Sequence, residues 1–384
     1  RVTWTDDQGE VHVNRGYRIQ YNSALGPYKG GMRFHHGVTQ LNLKTLGFEQ
    51  IFKNSLTGLA MGSAVGGADF DPRGKSDGEI MGFCKSLMME LYRHIGPHID
   101  VPARDLGVSE KEIGYMFGAY NRIKNSYTGA FTGRSPGLGG SYLRNEAAGY
   151  GCVYFAEQML LREGEGFKNK NVVISGWGNV AQHAAKMIGQ LGGRVVTISN
   201  SEGFLHDPAG IQDDKWDFLI KLKNKRHGSL REYAYKYGAS FHAEKKPWVV
   251  PCDVAIPCAT LNEIDEKDAG YLIKNGCRWV VEGANLATVP EAASLLQANK
   301  VVYAPAKAAG AGGAVVSGFE MSQTSQRLQW QQEEITRQLQ RSMKKIHDLC
   351  CDHGQSKDGI DYKKGADRAG FLRVANAMVD RGLE

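Results

Sequence analysis

The chain has 384 residues, 42% of them apolar and 23% charged, with a formal net charge of +6. That is enough for two domains with sizeable cores, at the composition of an ordinary globular protein. No apolar run approaches the ~18 residues that span a bilayer, and the surplus of positive charge is modest.

The sequence opens at Arg1 with neither a methionine nor a signal-peptide pattern, so either a leader has been removed or the sequence begins inside a longer product. Val11 to Gln20 reads as a strand leading into Tyr28-Lys29-Gly-Gly-Met-Arg33-Phe-His35. Gly30 and Gly31 permit close backbone approach beside a lysine and an arginine, which suits an anionic ligand. Thr45 to Ser55 has helical periodicity and carries Lys53 near its end. The glycine-rich stretch Thr57 to Pro72 follows, and Ser76 opens another helix. Asp77 and Glu79 are expected in that helix's first turn and Arg93 and His94 in its last, matching the macrodipole. Asp105, a buried-looking acid on the loop after Val101-Pro-Ala-Arg104, is a candidate proton-transfer group.

Asn171 to Gly203 is the most informative stretch. Asn171 to Ser175 is strand-like, Gly176-Trp177-Gly178-Asn179-Val180-Ala181 follows, Gln182 to Gly192 has helical spacing, and Arg194 to Ser199 is a second strand. This strand–glycine turn–helix–strand unit is what a dinucleotide fold uses to bring backbone against a pyrophosphate at a helix N-terminus. Asn200 stands where that fingerprint expects an acid for the ribose hydroxyls, so NAD versus NADP stays open. Between Lys221 and Lys246, eight basic and two acidic residues interleave with Tyr233, Tyr235 and Tyr237. A solvated helix face is the expected reading, with a nucleic-acid patch as the alternative. The seven cysteines contain no C-x-x-C pair, which points to reduced thiols in the cytoplasm or mitochondrial matrix.

Several runs closely resemble the hexameric bacterial and lower-eukaryotic glutamate dehydrogenases: Tyr28 to His35, Leu46 to Thr57, Glu90 to Gly96, Asp253 to Thr260, Glu282-Gly-Ala-Asn285 and Ser317 to Gln323. The resemblance implies an α/β fold of two domains. A substrate and assembly domain over 1–145 would be completed by C-terminal helices from about 322 to 384, and a Rossmann-like dinucleotide domain would cover 146–321. It implies substrate-holding roles for Lys29 and Lys53, proton shuttling by Asp105, and contact of Ser317 with the distal carboxylate. Cofactor contacts are implied for Gly176, Gly178, Asn179, Val180, Asn200 and Asn285. The family's N-terminal helical segment is missing from this sequence, which leads one to expect a weakened hexamer.

The sequence departs from the family pattern at the cleft the resemblance implies. Val65 stands at the catalytic lysine, and Arg104 replaces the glycine before Asp105, where it is expected to lower that acid's pKa and crowd its loop. Gly310 replaces a substrate-holding Asn, Ala148 a Thr that contacts the nicotinamide, and Leu261 a Gln. Trp177 replaces a small residue between the two glycines and is expected to plug the pyrophosphate site, with stacking on a ligand as the alternative. Together these lead to the expectation of a catalytically inactive or crippled homologue, kept as a structural or regulatory subunit among other protein subunits. The alternative is an active NAD(P)-dependent glutamate or amine dehydrogenase working on 2-oxoglutarate and glutamate.

Overall fold

The computed structural model describes residues 1–224, 228–357 and 359–382. It divides into two compact units, one of residues 1–144, 314–338 and 370–384, the other of 145–313 and 339–369. The C-terminal stretch from 339 to 369 thus lies with the second unit. Among the described residues no helix is long and apolar enough to cross a membrane.

The first unit opens with a hairpin of β1 (Val2–Thr5) and β2 (Val11–Asn14), followed by β3 (Gly16–Asn22) and β4 (Tyr28–Phe34). Val11 to Gln20 is therefore not one strand. The chain breaks at Arg15, whose N–H donates to Asp69 Oδ1 at 2.9 Å, and β3 turns to pair with a different partner. Helix α1 (Gln40–Leu56) starts at a Thr39 capping box, which satisfies backbone donors that a helix end leaves open. Next comes β5 (Ser63–Ala68), in the glycine-rich stretch. Helix α2 (Asp77–Leu91), β6 (Asp100–Arg104) and α3 (Glu110–Lys124) follow.

The sheet order is β3-β5-β4-β6, with β3 antiparallel to β5 and the other pairs parallel. Glycine is a poor strand former, yet here close packing demands it. A Cβ on Gly30 would stand 1.6 Å from the Ala64 carbonyl oxygen, and one on Gly67 2.4 Å from that of Arg33. Helix α2 ends at Leu91, so Arg93 and His94 lie beyond it; His94 N–H closes a turn on Leu91. The core of this unit packs Phe34, Phe70, Phe83, Phe117 and their neighbours between sheet and helices.

In the second unit α4 (Ala147–Arg162), β7 (Asn171–Ile174), α5 (Asn179–Gln190) and β8 (Arg194–Val195) lead to β9 (Thr197–Asn200) and β10 (Gly203–His206). Then come α6 (Asp213–Asn224), α7 (Leu230–Tyr237), β11 (Ser240–Ala243), β12 (Val254–Ile256), α8 (Glu266–Lys274), β13 (Trp279–Val281), α9 (Pro290–Ala298) and β14 (Val302–Ala304). A parallel sheet of order β14-β13-β12-β7-β8 carries the fold, as expected of a Rossmann-like domain. Arg194 to Ser199 divides at Val196, and β9 joins an antiparallel sheet with β10 and β11. Short α10 (Ala306–Ala309) leads into α11 (Gly312–Gln326), and α12 (Gln332–Gly354) and α13 (Tyr362–Asp380) complete the chain.

Candidate active site

Strand β4 carries Lys29 into the first unit at 2% exposure, the burial of a core residue. Asn54, near the end of α1, fixes that strand by donating from Nδ2 to the Lys29 carbonyl at 3.0 Å and to that of Gly62 at 2.6 Å. Lys29 Nζ donates to Thr132 Oγ1 at 2.8 Å, and Thr132 Oγ1 shares a 2.5 Å hydrogen bond with Ser317 Oγ on α11. Both hydroxyls are buried. Burial first, and the like charges of Arg144 and Arg18 next, bring the Lys29 pKa down to about 7. Its neighbours Glu320 and Asp100 pull the other way but are committed elsewhere. Glu320 is buried against Arg134 at 3.2 Å and accepts from the Gly133 N–H at 2.9 Å. Asp100 is paired with Arg18 through a 2.8 Å bond from Nε.

Lys53 is also buried, in the last turn of α1. Asp105 does not take Arg104 as its partner. Arg33 pairs with it instead, Nε to Oδ2 at 3.1 Å and Nη2 to Oδ1 at 3.3 Å, and its side chain is 29% exposed rather than buried. Arg104 turns away, to Glu110 at 3.1 Å, with its stem against Gly133. The local reason is strand pleat: adjacent residues at the end of β6 face opposite ways. Val65 is 4% exposed and packs with Val38, Leu43 and Leu46 between α1 and the sheet. Valine at this position therefore belongs to an apolar cluster. It offers no group that exchanges a proton.

In the second unit Gly176 has φ +82°, a left-handed conformation that glycine adopts without strain, and its N–H donates to Ser199 Oγ at 2.7 Å. Gly178 is the N-cap of α5, with no side-chain cap and no heavy atom within 4 Å of where a Cβ would stand. The helix thus presents open backbone donors, which fit a dinucleotide pyrophosphate. Asn179 and Gly178 are exposed and Val180 is half-buried; Asn179 Nδ2 is bound to the Asn145 carbonyl. Asn200 Oδ1 accepts the Glu202 N–H at 2.9 Å, so that oxygen serves the turn. Trp177 is half-buried with its indole Nε1 sealed and unpartnered, while its carbonyl accepts from Gln182 Nε2 at 3.2 Å and from Lys223 Nζ at 2.5 Å. Ala148 lies in the first turn of α4, Asn285 between β13 and α9, and Gly310 caps α10. Gly310 has φ −83°, open to any residue, but a Cβ there would stand 2.8 Å from the Ala306 carbonyl oxygen.

Sequence reasoning missed Thr132, Arg144 and two buried acids that fasten loops. Glu282 accepts the N–H groups of Thr288 at 2.7 Å and Ala306 at 2.9 Å. Glu263 accepts that of Ala259 at 3.0 Å, and burial brings its pKa up to about 7. Glu282, directly after the apolar run Trp279 to Val281, carries a signal in the sequence; Glu263, between Asn262 and Ile264-Asp265, carries none. In the basic stretch, exposed Lys223 donates from Nζ to the Trp177 carbonyl, Lys236 lies 4.0 Å from the Phe218 ring centre, and Lys246 pairs with Asp268 at 2.6 Å. Lys225, Arg226 and His227 lie outside the described residues. Among the described residues no group of three His, Cys, Asp or Glu could hold a metal ion.

A five-stranded parallel dinucleotide sheet, with a second α/β unit that buries a lysine against hydroxyls, defines the class: a two-domain amino-acid dehydrogenase fold. A family model for the dimerisation domain of Glu/Leu/Phe/Val dehydrogenase matches residues 1–122, and one for Glutamate/Leucine/Phenylalanine/Valine dehydrogenase matches 139–382. The chain belongs to this family. It is 51% identical over 385 residues to the NADP-specific glutamate dehydrogenase of Haemophilus influenzae, covering all of this chain and 86% of that one. It is 50% identical over 385 residues, with the same coverage, to the NAD-specific glutamate dehydrogenase of Bacteroides fragilis. The crystal structure of Plasmodium falciparum glutamate dehydrogenase superposes with a TM-score of 0.96 at 47% identity, over 99% of this chain and 82% of that one.

Proposed function

We propose that this chain is a slow NAD(P)-dependent glutamate dehydrogenase, interconverting glutamate and 2-oxoglutarate. The observation that carries this is the setting of Lys29: a buried amine whose one side-chain hydrogen bond among the described residues goes to the hydroxyl of Thr132, itself joined to Ser317. A carboxylate supplies the charge such a pocket lacks. Similarity to glutamate dehydrogenases along the whole chain adds support. In this reading Lys29 and Ser317 hold one carboxylate, Lys53 the other, and Asp105 passes protons. Gly176, Gly178 and the first N–H groups of α5 hold the cofactor's phosphates. The bound nicotinamide supplies or accepts the hydride. NAD and NADP both suit a turn ending in Asn200.

Val65 sets the rate. Loss of a general acid/base costs ~10²–10⁴, and Gly310 and Ala148 remove further contacts. The expected result in an assay with 2-oxoglutarate, ammonium and NADH or NADPH is measurable turnover that far below ordinary dehydrogenase rates. Turnover at ordinary rates would show that Val65 does not limit the reaction. A second reading, a non-catalytic subunit of an assembly, is favoured by Val65's place in an apolar cluster. It predicts binding of cofactor or 2-oxoglutarate with no turnover at all. Both readings include self-association, supported by the match to a dimerisation domain, and a monomer by mass measurement in solution would contradict that part.

A further inference from the structure

Thr132 meets Lys29 from an irregular loop and Ser317 meets Thr132 from α11, and a second buried contact joins the same two segments. Gly133 and Arg134 follow Thr132 in the chain, while Glu320 and Thr324 share the Ser317 face of α11 at helical spacing. The Gly133 N–H donates to Glu320 Oε2 at 2.9 Å. Arg134 donates to Glu320 Oε1 from Nε at 3.2 Å and from its backbone N–H at 3.4 Å. Arg134 Nη2 donates to the Gly139 carbonyl at 3.2 Å and to Thr324 Oγ1. The Thr324 hydroxyl donates in turn to the Glu320 carbonyl at 2.7 Å, which leaves its oxygen free to accept from Arg134. One guanidinium thus ties the start of the loop, its end and α11 together. On the other side the Thr132 N–H donates to the Pro102 carbonyl of β6 at 3.0 Å. Both ion-pair partners are fully enclosed, and such a pair is a weak source of stability because desolvation offsets most of the attraction. Its geometric effect is larger: a slip of about 1 Å between loop and helix would part the Thr132 hydroxyl from Ser317 or Lys29.

We propose that Arg134 and Glu320 are positioning residues that hold the Thr132 and Ser317 hydroxyls at Lys29 and thereby set the affinity of the anionic substrate. The inference rests on the reading that Lys29 holds a substrate carboxylate. Neither residue acts on the substrate itself; each acts through the two hydroxyls. Arginine suits the task because its planar fork serves a carboxylate, a carbonyl and a hydroxyl at once. The pair also leaves an electrical mark. Arg144, Arg18, Glu320 and Asp100 are the charges that act on Lys29, and Glu320 is one of the two that favour its ammonium.

The test measures 2-oxoglutarate binding by titration calorimetry from pH 6 to 9, without ammonium so that no amination intervenes. Wild type, Arg134→Lys, Thr324→Val, Lys29→Leu and the double variant Arg134→Met with Glu320→Gln are compared as full chains, with folding checked by thermal melts. The double variant removes both charges together, so no lone buried ion remains, and the glutamine can still accept the Gly133 N–H. It should melt near wild type yet bind about tenfold more weakly, the scale of one hydrogen bond to a charged group. With Glu320 neutral, the pH at which binding is half lost should also move down. Arg134→Lys keeps the ion pair and should keep most of the affinity with an unmoved midpoint. Thr324→Val removes only the hydroxyl that Arg134 holds, and about threefold weaker binding is expected. Wild-type affinity or an unmoved midpoint in the folded double variant would overturn the inference and leave the Lys29 reading standing. Should the double variant not fold, wild-type affinity in Thr324→Val overturns it equally. Binding unchanged by Lys29→Leu would remove the underlying reading, and the inference with it.

Discussion

At Val65 the question is whether restoring one side chain restores chemistry. In Val65→Lys the new ammonium enters a site lined by Val38, Leu43 and Leu46, where burial drives its pKa down and costs stability. We expect a melting point lower by several degrees and little return of NAD(P)H consumption, because catalytic groups that act as a unit are not additive. Substantial activity from this single change would show the other departures to be drift. Lys29 makes a prediction in pH. Its proton is lost through about pH 7 in the free protein, so a ligand that needs the ammonium should bind progressively more weakly above that, by at most tenfold per unit. Its folded pKa lies below its unfolded value, so the cost of burying its charge is full below about pH 7 and fades as pH rises toward 10. Lys29→Met should therefore raise the melting point at pH 6 and change it little at pH 10. Calorimetric binding and thermal melts across that range check both halves.

Among the elements, helices α4 and α5 control the dinucleotide turn. They approach so closely at Gly149 that a Cβ there would stand 2.6 Å from both the Ala184 nitrogen and the Val180 carbonyl oxygen. Both contacts are backbone, so neither helix can yield by turning a side chain. Gly149→Ala should push apart the helix that carries Gly178 and Asn179 at its start. We expect ~1–3 kcal/mol of lost stability, the scale of overpacking a core, together with weaker NAD(P)H binding. Fluorescence titration of NADPH, run beside urea unfolding, would test this; unchanged binding and stability in the variant would mean the two helices are free to slide. Strand β5 makes the complementary point. Its glycines are unfavourable as strand residues in isolation, and the close pairing with β4 is what requires them.

For the molecule as a whole, all seven cysteines are free and buried. Burial pushes the thiols of Cys84, Cys258 and Cys350 up, so the reactive thiolate form is suppressed as well as hidden. We expect fewer than about one thiol per chain to react with Ellman's reagent in the native state, and all seven in strong denaturant. Rapid native labelling of several would mean that one unit opens readily under native conditions. Within the basic surface, Lys246 pairs with Asp268 and Arg278 with Glu163.

The sequence by itself determined the glycine turn of β7 and α5, the Lys29-Gly-Gly run, and the absence of a lysine at position 65. These signals are local: a turn that needs positive φ, a helix start, or an identity at one position is written in a few consecutive residues. Tertiary structure alone decided that Ser63–Ala68 is an inner strand, that Arg33 and not Arg104 holds Asp105, and that Thr132 and Ser317 meet at Lys29. Ser317 lies 185 residues from Thr132 along the chain, and no periodicity encodes such a meeting. Buried charges choose partners by where packed strands and helices deliver them, because in a low-dielectric interior a small difference in distance outweighs nearness in sequence.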